Sequence, residues 1–266
     1  MLKLNNFKTV QEICPNKVWI INDQFVLKKM KNNAIKEKNI IAASILNKSQ
    51  IPSFVCVDFH TNMEFADEQD NNSYLLMTRI PGHHLKKEEF LSDENTLFLS
   101  LGKVLSSMHQ SINYSELSNV VVSHDLMKEY DFSVEKMYKF GLSVPKYIVS
   151  RYNTVKQCYY SLPKFIIHRD VQPRNIMFDN KSISGLLDYD SFDKDIRVID
   201  LVYWGLSTLQ IIDIRDTCSI KQWRKHFNST LQSYSILKPL SFTETDIIND
   251  LFYVLQICSS FQVLKK

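Results

Sequence analysis

A chain of 266 residues, 44% apolar and 23% charged, without low-complexity tracts or blocks of like charge, reads as globular and has the length for one large domain or two modest lobes. A net charge of +3 is too mild for the clustered Lys and Arg of a nucleic-acid groove, so no nucleic-acid partner is expected. Five cysteines scattered singly predict a reduced, cytoplasmic protein, while the opening MLKLNNFKTV and the short apolar stretch from Ile40 to Leu46 predict neither a signal peptide nor a membrane partner.

The first eighty or so residues read as strand-rich with one helix. Val18–Ile21 and Gln24–Met30 are apolar or β-branched runs around Asn22-Asp23, a pair that tolerates the left-handed backbone of a tight hairpin turn. Asn32 or Asn33 caps a helix to about Asn47, in which Ile40, Ile41, Ile45 and Leu46 recur at helical spacing, and Pro52 lies beyond its end. Phe54–Phe59 and Ser73–Arg79 follow as strands across a polar turn, and Pro81-Gly82 closes this part. From there the pattern is mainly helical: a run through Leu97, Leu101, Leu105 and Met108, then segments at 124–139 and 145–161. Phe165–Ile167 interrupts it as a short strand leading into HRDVQPRN. Ile176–Phe178 and Ile183–Leu187 form a strand pair around Asn180-Lys181-Ser182, and helices resume at about Val198, including Ile247–Val263. Residues 1–80 and 81–266 are the expected division.

The chemistry is concentrated in His168-Arg169-Asp170-Val171-Gln172-Pro173-Arg174-Asn175, with Asp188 thirteen positions after Asn175 in the apolar frame Leu186-Leu187-Asp188. Phosphoryl transfer needs a carboxylate to position and deprotonate the acceptor hydroxyl, and oxygen ligands to hold magnesium against the triphosphate. Asp170 is the candidate for the first role. Asn175 and Asp188, at facing ends of the predicted strand pair, are candidates for the second.

On these motifs the chain resembles the aminoglycoside phosphotransferase and choline kinase-like superfamily, which shares its fold and catalytic loop with protein kinases. The resemblance extends over most of the chain. It includes Phe25-Val26-Leu27-Lys28, similar to the strand-lysine motif, and Leu75 through Gly82, similar to the interlobe segment. Leu101-Gly102 through His109 and Arg197 through Trp204 also match, the latter as the structural-aspartate helix. It implies an α+β, two-lobed protein-kinase-like fold: a small antiparallel-sheet lobe with one helix, and a larger, mainly helical lobe. It further implies an ATP- and Mg2+-dependent transfer to a hydroxyl of a small molecule. Lys28 would contact the α- and β-phosphates and pair with a helix glutamate, Glu37, although the family's spacing back from Leu46 lands on Lys38 or Asn39. Backbone groups at Thr78 and Ile80 would hold adenine, and His168 and Asp200 would brace the loop. Asp190 would assist metal or substrate, or cap the next turn.

Two departures stand out. Ile13 through Trp19 contains no glycine where the superfamily has a phosphate-covering loop, and Gln172 and Arg174 stand where related small-molecule kinases often carry His and Gly. Arg174 argues for a neutral or anionic acceptor, because a cationic one would be repelled. A protein kinase is the first alternative. Tyr189-Asp190 in place of Phe-Gly, and the short distance from Asp190 to Asp200, leave no room for its peptide-docking segment. The second alternative is a non-catalytic binding or structural protein that keeps the fold.

Overall fold

The structure is a computed structural model that describes residues 8–57, 73–112, 117 and 120–263. Four strands, β1 (Val10–Cys14), β2 (Val18–Ile21), β3 (Phe25–Met30) and β4 (Ser73–Thr78), form an antiparallel sheet in that order. The β2–β3 hairpin turns on Asn22 and Asp23, with φ of 51° and 57°, the left-handed values that a two-residue turn demands and that Asn and Asp tolerate. β1 was not expected from sequence. It is an exposed edge strand whose short turn into β2 runs through Asn16 at φ 54°.

Strand alternation gives the sheet two apolar faces. Trp19, Ile21, Leu27 and Leu76 pack together on one. Met30, Leu75 and Met77 face the main core on the other, each such side chain contributing about 2 kcal/mol by leaving water. Helix α1 (Asn33–Lys48) lies on that second face, burying Asn39, Ala42, Ala43 and Leu46. Asn32 caps it, its side-chain oxygen accepting from the N–H of Ile35 at 2.8 Å. Of the strand expected at Phe54–Phe59, residues 58 and 59 lie outside the described part, as do residues 60–72 after it. The described remainder makes one isolated bridge, Cys56 with Met77, and Ser53 just before it makes another with Leu186.

After Gly82 the chain is mainly helical. Helices α2 (Lys87–Leu91), α3 (Thr96–Ile112), α4 (Leu126–Lys139) and α5 (Lys146–Tyr159) precede β5 (Lys164–Ile167), β6 (Ile176–Asp179), β7 (Ser182–Leu186) and β8 (Asp193–Ile196). Helices α6 (Val198–Leu209), α7 (Thr217–Leu237), α8 (Phe242–Asp246) and α9 (Ile248–Val263) complete it. β6 and β7 form the expected hairpin, turning through left-handed Asn180 and Lys181, and β5 pairs antiparallel with β8. Gly82, at φ 105°, brings the chain so close to Phe178 that a Cβ there would collide with its carbonyl. Gly102 likewise lets α3 lie against α7, beside Thr230 and Ser233. Arg197, just before α6, is clamped to Glu244 by paired bonds of 2.7 and 2.8 Å. That buried pair fixes where α6 starts. Among the described residues no helix is long and apolar enough to cross a membrane.

Candidate active site

β5 delivers the chain directly into the segment 168–175, and α6 holds it there. Asp200, fully buried in the first turn of α6, accepts the backbone N–H of His168 at 2.8 Å and of Arg169 at 2.7 Å, together with His109 Nε2–H at 2.9 Å. Burial alone would raise its carboxyl pKa. The His109 hydrogen bond, the His109 and His168 charges and the backbone N–H groups outweigh that and hold it below the ordinary carboxylate value. This anchor fixes Arg169 in a left-handed conformation, φ 61°, which a non-glycine residue keeps only when its surroundings enforce it. His168 is also buried, its Nε2–H donating to the carbonyl of Leu187 at 2.9 Å. It thereby joins the segment to the backbone just before Asp188. Both residues therefore brace the loop.

Asp170 comes next in the chain. Asn175 Nδ2 donates to its Oδ2 at 2.8 Å and to its carbonyl at 3.0 Å, and Gln172 Nε2 donates to its Oδ1. A short 3-10 turn over Pro173–Asn175 sets this up, with Pro173 at its start and the N–H of Asn175 bonded to the carbonyl of Gln172 at 2.8 Å. Because both bonds from the Asn175 amide nitrogen run to Asp170, Asn175 Oδ1 is the end that could serve a cation. The phenol of Tyr203, one turn along α6 from Asp200, is pushed up to about 12 by burial and by the neighbouring Asp170 carboxylate.

The predicted partner of Lys28 is not the observed one. Lys28 Nζ lies 2.8 Å from Asp188 Oδ1 and 2.9 Å from Asp190 Oδ1. Glu37 is exposed on α1 and does not take part. The phase of α1, set by Ala42, Ala43 and Leu46 facing the core, turns Asn39 inward and Glu37 outward, so the expected Lys28–Glu37 pair is corrected to a pair of aspartates. Burial would lower the Lys28 pKa, but the two carboxylates raise it above the ordinary value. Burial would raise that of Asp188, but Lys28 and a hydrogen bond with Asp190 lower it. Asp188 itself is left-handed, φ 63°. Buried Tyr189 steadies it, stacking on Phe54 at 5.1 Å, donating to the carbonyl of Leu186 at 2.8 Å and bonding Ser53 Oγ at 2.5 Å.

Thr78 ends β4 with its N–H bonded to the carbonyl of Val55 at 2.9 Å, so of its backbone only the carbonyl could serve adenine. Ile80 is buried two residues on, against the Gly185 backbone. A cavity of about 400 Å³ opens at Asp170, walled by α4, α6 and α9 through Glu129, Tyr203, Leu255 and Cys258. Its lining holds four carboxylates, those of Glu129, Asp170, Asp190 and Asp193, against two guanidiniums, Arg169 and Arg174. Arg169 is already engaged, at 2.8 Å by Glu129 and 3.6 Å by Asp193. Arg174 is 75% exposed at the rim, its Nη2 4.0 Å from Asp170 Oδ2. Arg174 therefore stands at the edge of the cavity and not within it, and the expectation of a neutral or anionic acceptor loses the close-range repulsion on which it rested. Nothing local in the sequence marked Glu129, because long-range packing of α4 against α9 brings it to the site.

Residues 16–213 match the model of the phosphotransferase enzyme family. No curated protein sequence matches significantly. Among solved structures, the amicoumacin kinase hAmiN, in complex with AMP-PNP, Ca2+ and Ami, superposes with a TM-score of 0.70 at 15% identity, covering 95% of this chain and 80% of that one. The macrolide 2'-phosphotransferase MphH from Brachybacterium faecium gives 0.62 at 13% identity, covering 99% and 88%. An aminoglycoside phosphotransferase, APH(3'')-Id from Streptomyces rimosus, in complex with ADP and streptomycin, gives 0.61 at 12%, covering 93% and 92%. At such identities these are likenesses of fold.

Proposed function

This chain belongs to the phosphotransferase enzyme family and has its two-lobed kinase-like fold, and from that premise we propose that it moves the γ-phosphate of ATP, taken as its magnesium complex, to a hydroxyl of a small molecule. The observation that carries the reading is the placing of Asp170 in the cavity wall, hydrogen-bonded by Gln172 and Asn175. In this reading residues 1–80 hold the nucleotide and residues 81–266 bring the catalytic loop and the acceptor pocket. The Thr78 carbonyl and the Ile80 backbone take the adenine edge, and Lys28 takes the phosphates.

Asn175 and Asp188 would contribute a carbonyl and a carboxylate oxygen, the hard donors that magnesium prefers, and the amide orientation imposed by Asp170 fits that role. Magnesium, when bound, shields the phosphate charge. Asp170 accepts the hydrogen of the acceptor hydroxyl, holds that oxygen facing the phosphate and receives its proton as the new P–O bond forms. With so acidic a lining, the acceptor class favoured is a hydroxyl compound carrying an amine. Proteins of this fold have been seen in complex with Ami and with streptomycin, which supports a small-molecule acceptor. A protein substrate has no support, because the chain from Asp190 to Asp200 is occupied by a 3-10 turn, β8 and the start of α6.

A magnesium titration of ATP binding tests the ligand assignment and separates an enzyme from a fold that binds nothing. Asp188→Ala and Asn175→Ala are each expected to weaken magnesium-dependent binding by about tenfold or more, since each removes an oxygen donor. Unchanged titrations in both variants would remove these residues from the metal.

A further inference from the structure

Behind the pair of aspartates on Lys28 stands Asn39, which bonds one of them. This residue is 1% exposed on the inward side of α1, where asparagine has poor helix propensity and a buried amide needs partners. It has them. Its Nδ2 donates to Asp190 Oδ1 at 3.0 Å and to the carbonyl of Ile35 at 2.9 Å, and its Oδ1 accepts the N–H of Tyr189 at 3.2 Å. Asp190 thus carries on one oxygen both the Asn39 amide and the Lys28 ammonium, and its side chain is 16% exposed against 39% for Asp188. Of the two carboxylates on Lys28, Asp190 is the one that the helix anchors.

In kinase-type phosphoryl transfer the strand lysine is oriented by a glutamate from the facing helix. Here the inward helix position is an amide, and the carboxylate comes from two residues after Asp188. We propose that Asp190, held in place from α1 by Asn39, is the positioning residue that orients Lys28 for the phosphates. The inference rests on the phosphotransferase reading above. The two arrangements exclude one another. A glutamate at position 39 beside Asp188 and Asp190 would gather three carboxylates around one ammonium, with like charges in a partly desolvated site. An amide at 39 removes that repulsion and supplies a donor to Asp190 instead. The same reasoning makes the helix carboxylate recoverable once position 190 is neutral.

The test is ATP affinity, measured with magnesium and with EDTA, for the unmodified chain, Asp190→Asn, Asn39→Ala, Asn39→Glu and the double variant Asn39→Glu with Asp190→Asn, each checked for a cooperative thermal transition. Asp190→Asn is expected to weaken ATP by about tenfold in both buffers, the loss of one charged hydrogen bond on Lys28. Asn39→Glu alone is expected to weaken it as well, and the double variant to recover most of what Asp190→Asn loses. A double variant no tighter than Asp190→Asn overturns the proposal. So does a loss confined to the magnesium buffer, which would make Asp190 a metal ligand. If the double variant does not fold, Asn39→Ala decides: a loss of about threefold or more supports the anchor, and affinity equal to wild type overturns it. A wild-type chain that binds no ATP in either buffer overturns the phosphotransferase reading together with this inference. Wild-type binding with an indifferent Asp190→Asn overturns the inference alone.

Discussion

Asp170→Asn is expected to lower turnover by about a thousandfold while ATP affinity and the unfolding transition stay near those of the unmodified chain. General-base assistance of this kind is worth roughly a hundred- to ten-thousandfold, and an amide cannot accept the acceptor's proton. The substitution is nearly isosteric, and its surroundings can absorb it. Asp170 accepts from Gln172 Nε2 on one oxygen and from Asn175 Nδ2 on the other at 2.8 Å, so an amide at 170 offers one oxygen to Asn175 and one NH2 to Gln172, whose side chain need only turn over. Lys28 and Asp188, which in this account meet the nucleotide, are untouched. Steady-state rates beside ATP binding isotherms check this. Activity within about tenfold of wild type would show that another group takes the proton.

The second large effect is on stability. Asp200→Ala deletes the acceptor of three buried donors at once: the backbone N–H groups of His168 and Arg169, and the Nε2–H of His109. Leaving buried donors unsatisfied costs about 1–3 kcal/mol each, with partial relief where water enters, so a loss of about 3–5 kcal/mol is expected by chemical denaturation. The same carboxylate has a pH signature. Its pKa is lower in the folded chain than in the unfolded one, because the His109 bond and nearby positive charge outweigh burial. The unfolded state therefore takes up the proton first as pH falls, and the stabilisation, present above the ordinary carboxylate range, is lost as pH drops through the folded value. Unfolding free energies of wild type and Asp200→Asn should converge on acidification. Parallel curves would show that Asp200 does not carry this part of the acid sensitivity.

Where sequence reading succeeded, the signal was local. Asn22-Asp23 and Asn180 announce their hairpins because tight turns need left-handed residues and Asn and Asp tolerate it, and HRDVQPRN marks the segment that Asp200 anchors and that borders the cavity. Where it failed, the determinant was phase or long-range packing. β1 escaped notice because VQEIC is exposed along almost its whole length and shows no buried alternation. β8 reads as a polar loop, DKDI, yet its Asp195 is fully buried, taking Tyr159 Oη at 2.6 Å and Lys164 Nζ at 3.0 Å. The inward position of α1 lies two residues past Glu37, at Asn39, because the charged run from Lys36 to Lys38 hides the helix phase, which only the packing of Ala42, Ala43 and Leu46 settles; and no local signal pointed to Asp190 as a partner of Lys28. The charge of the cavity was hidden for a related reason. One arginine in a motif says nothing of the carboxylates that α4 and the segment after Asp188 bring to the same cavity.

The most direct test of the central claim follows the phosphate itself. Purified protein is incubated with ATP labelled at the γ-phosphate and with aminoglycosides, macrolides, choline, homoserine and sugars in turn, with and without magnesium, and Asp170→Asn serves as the control. The account predicts magnesium-dependent transfer of label to a hydroxyl compound, strongest for one carrying an amine and absent with Asp170→Asn. Label transferred equally by Asp170→Asn, or none transferred to any acceptor by wild type at saturating ATP, would contradict it.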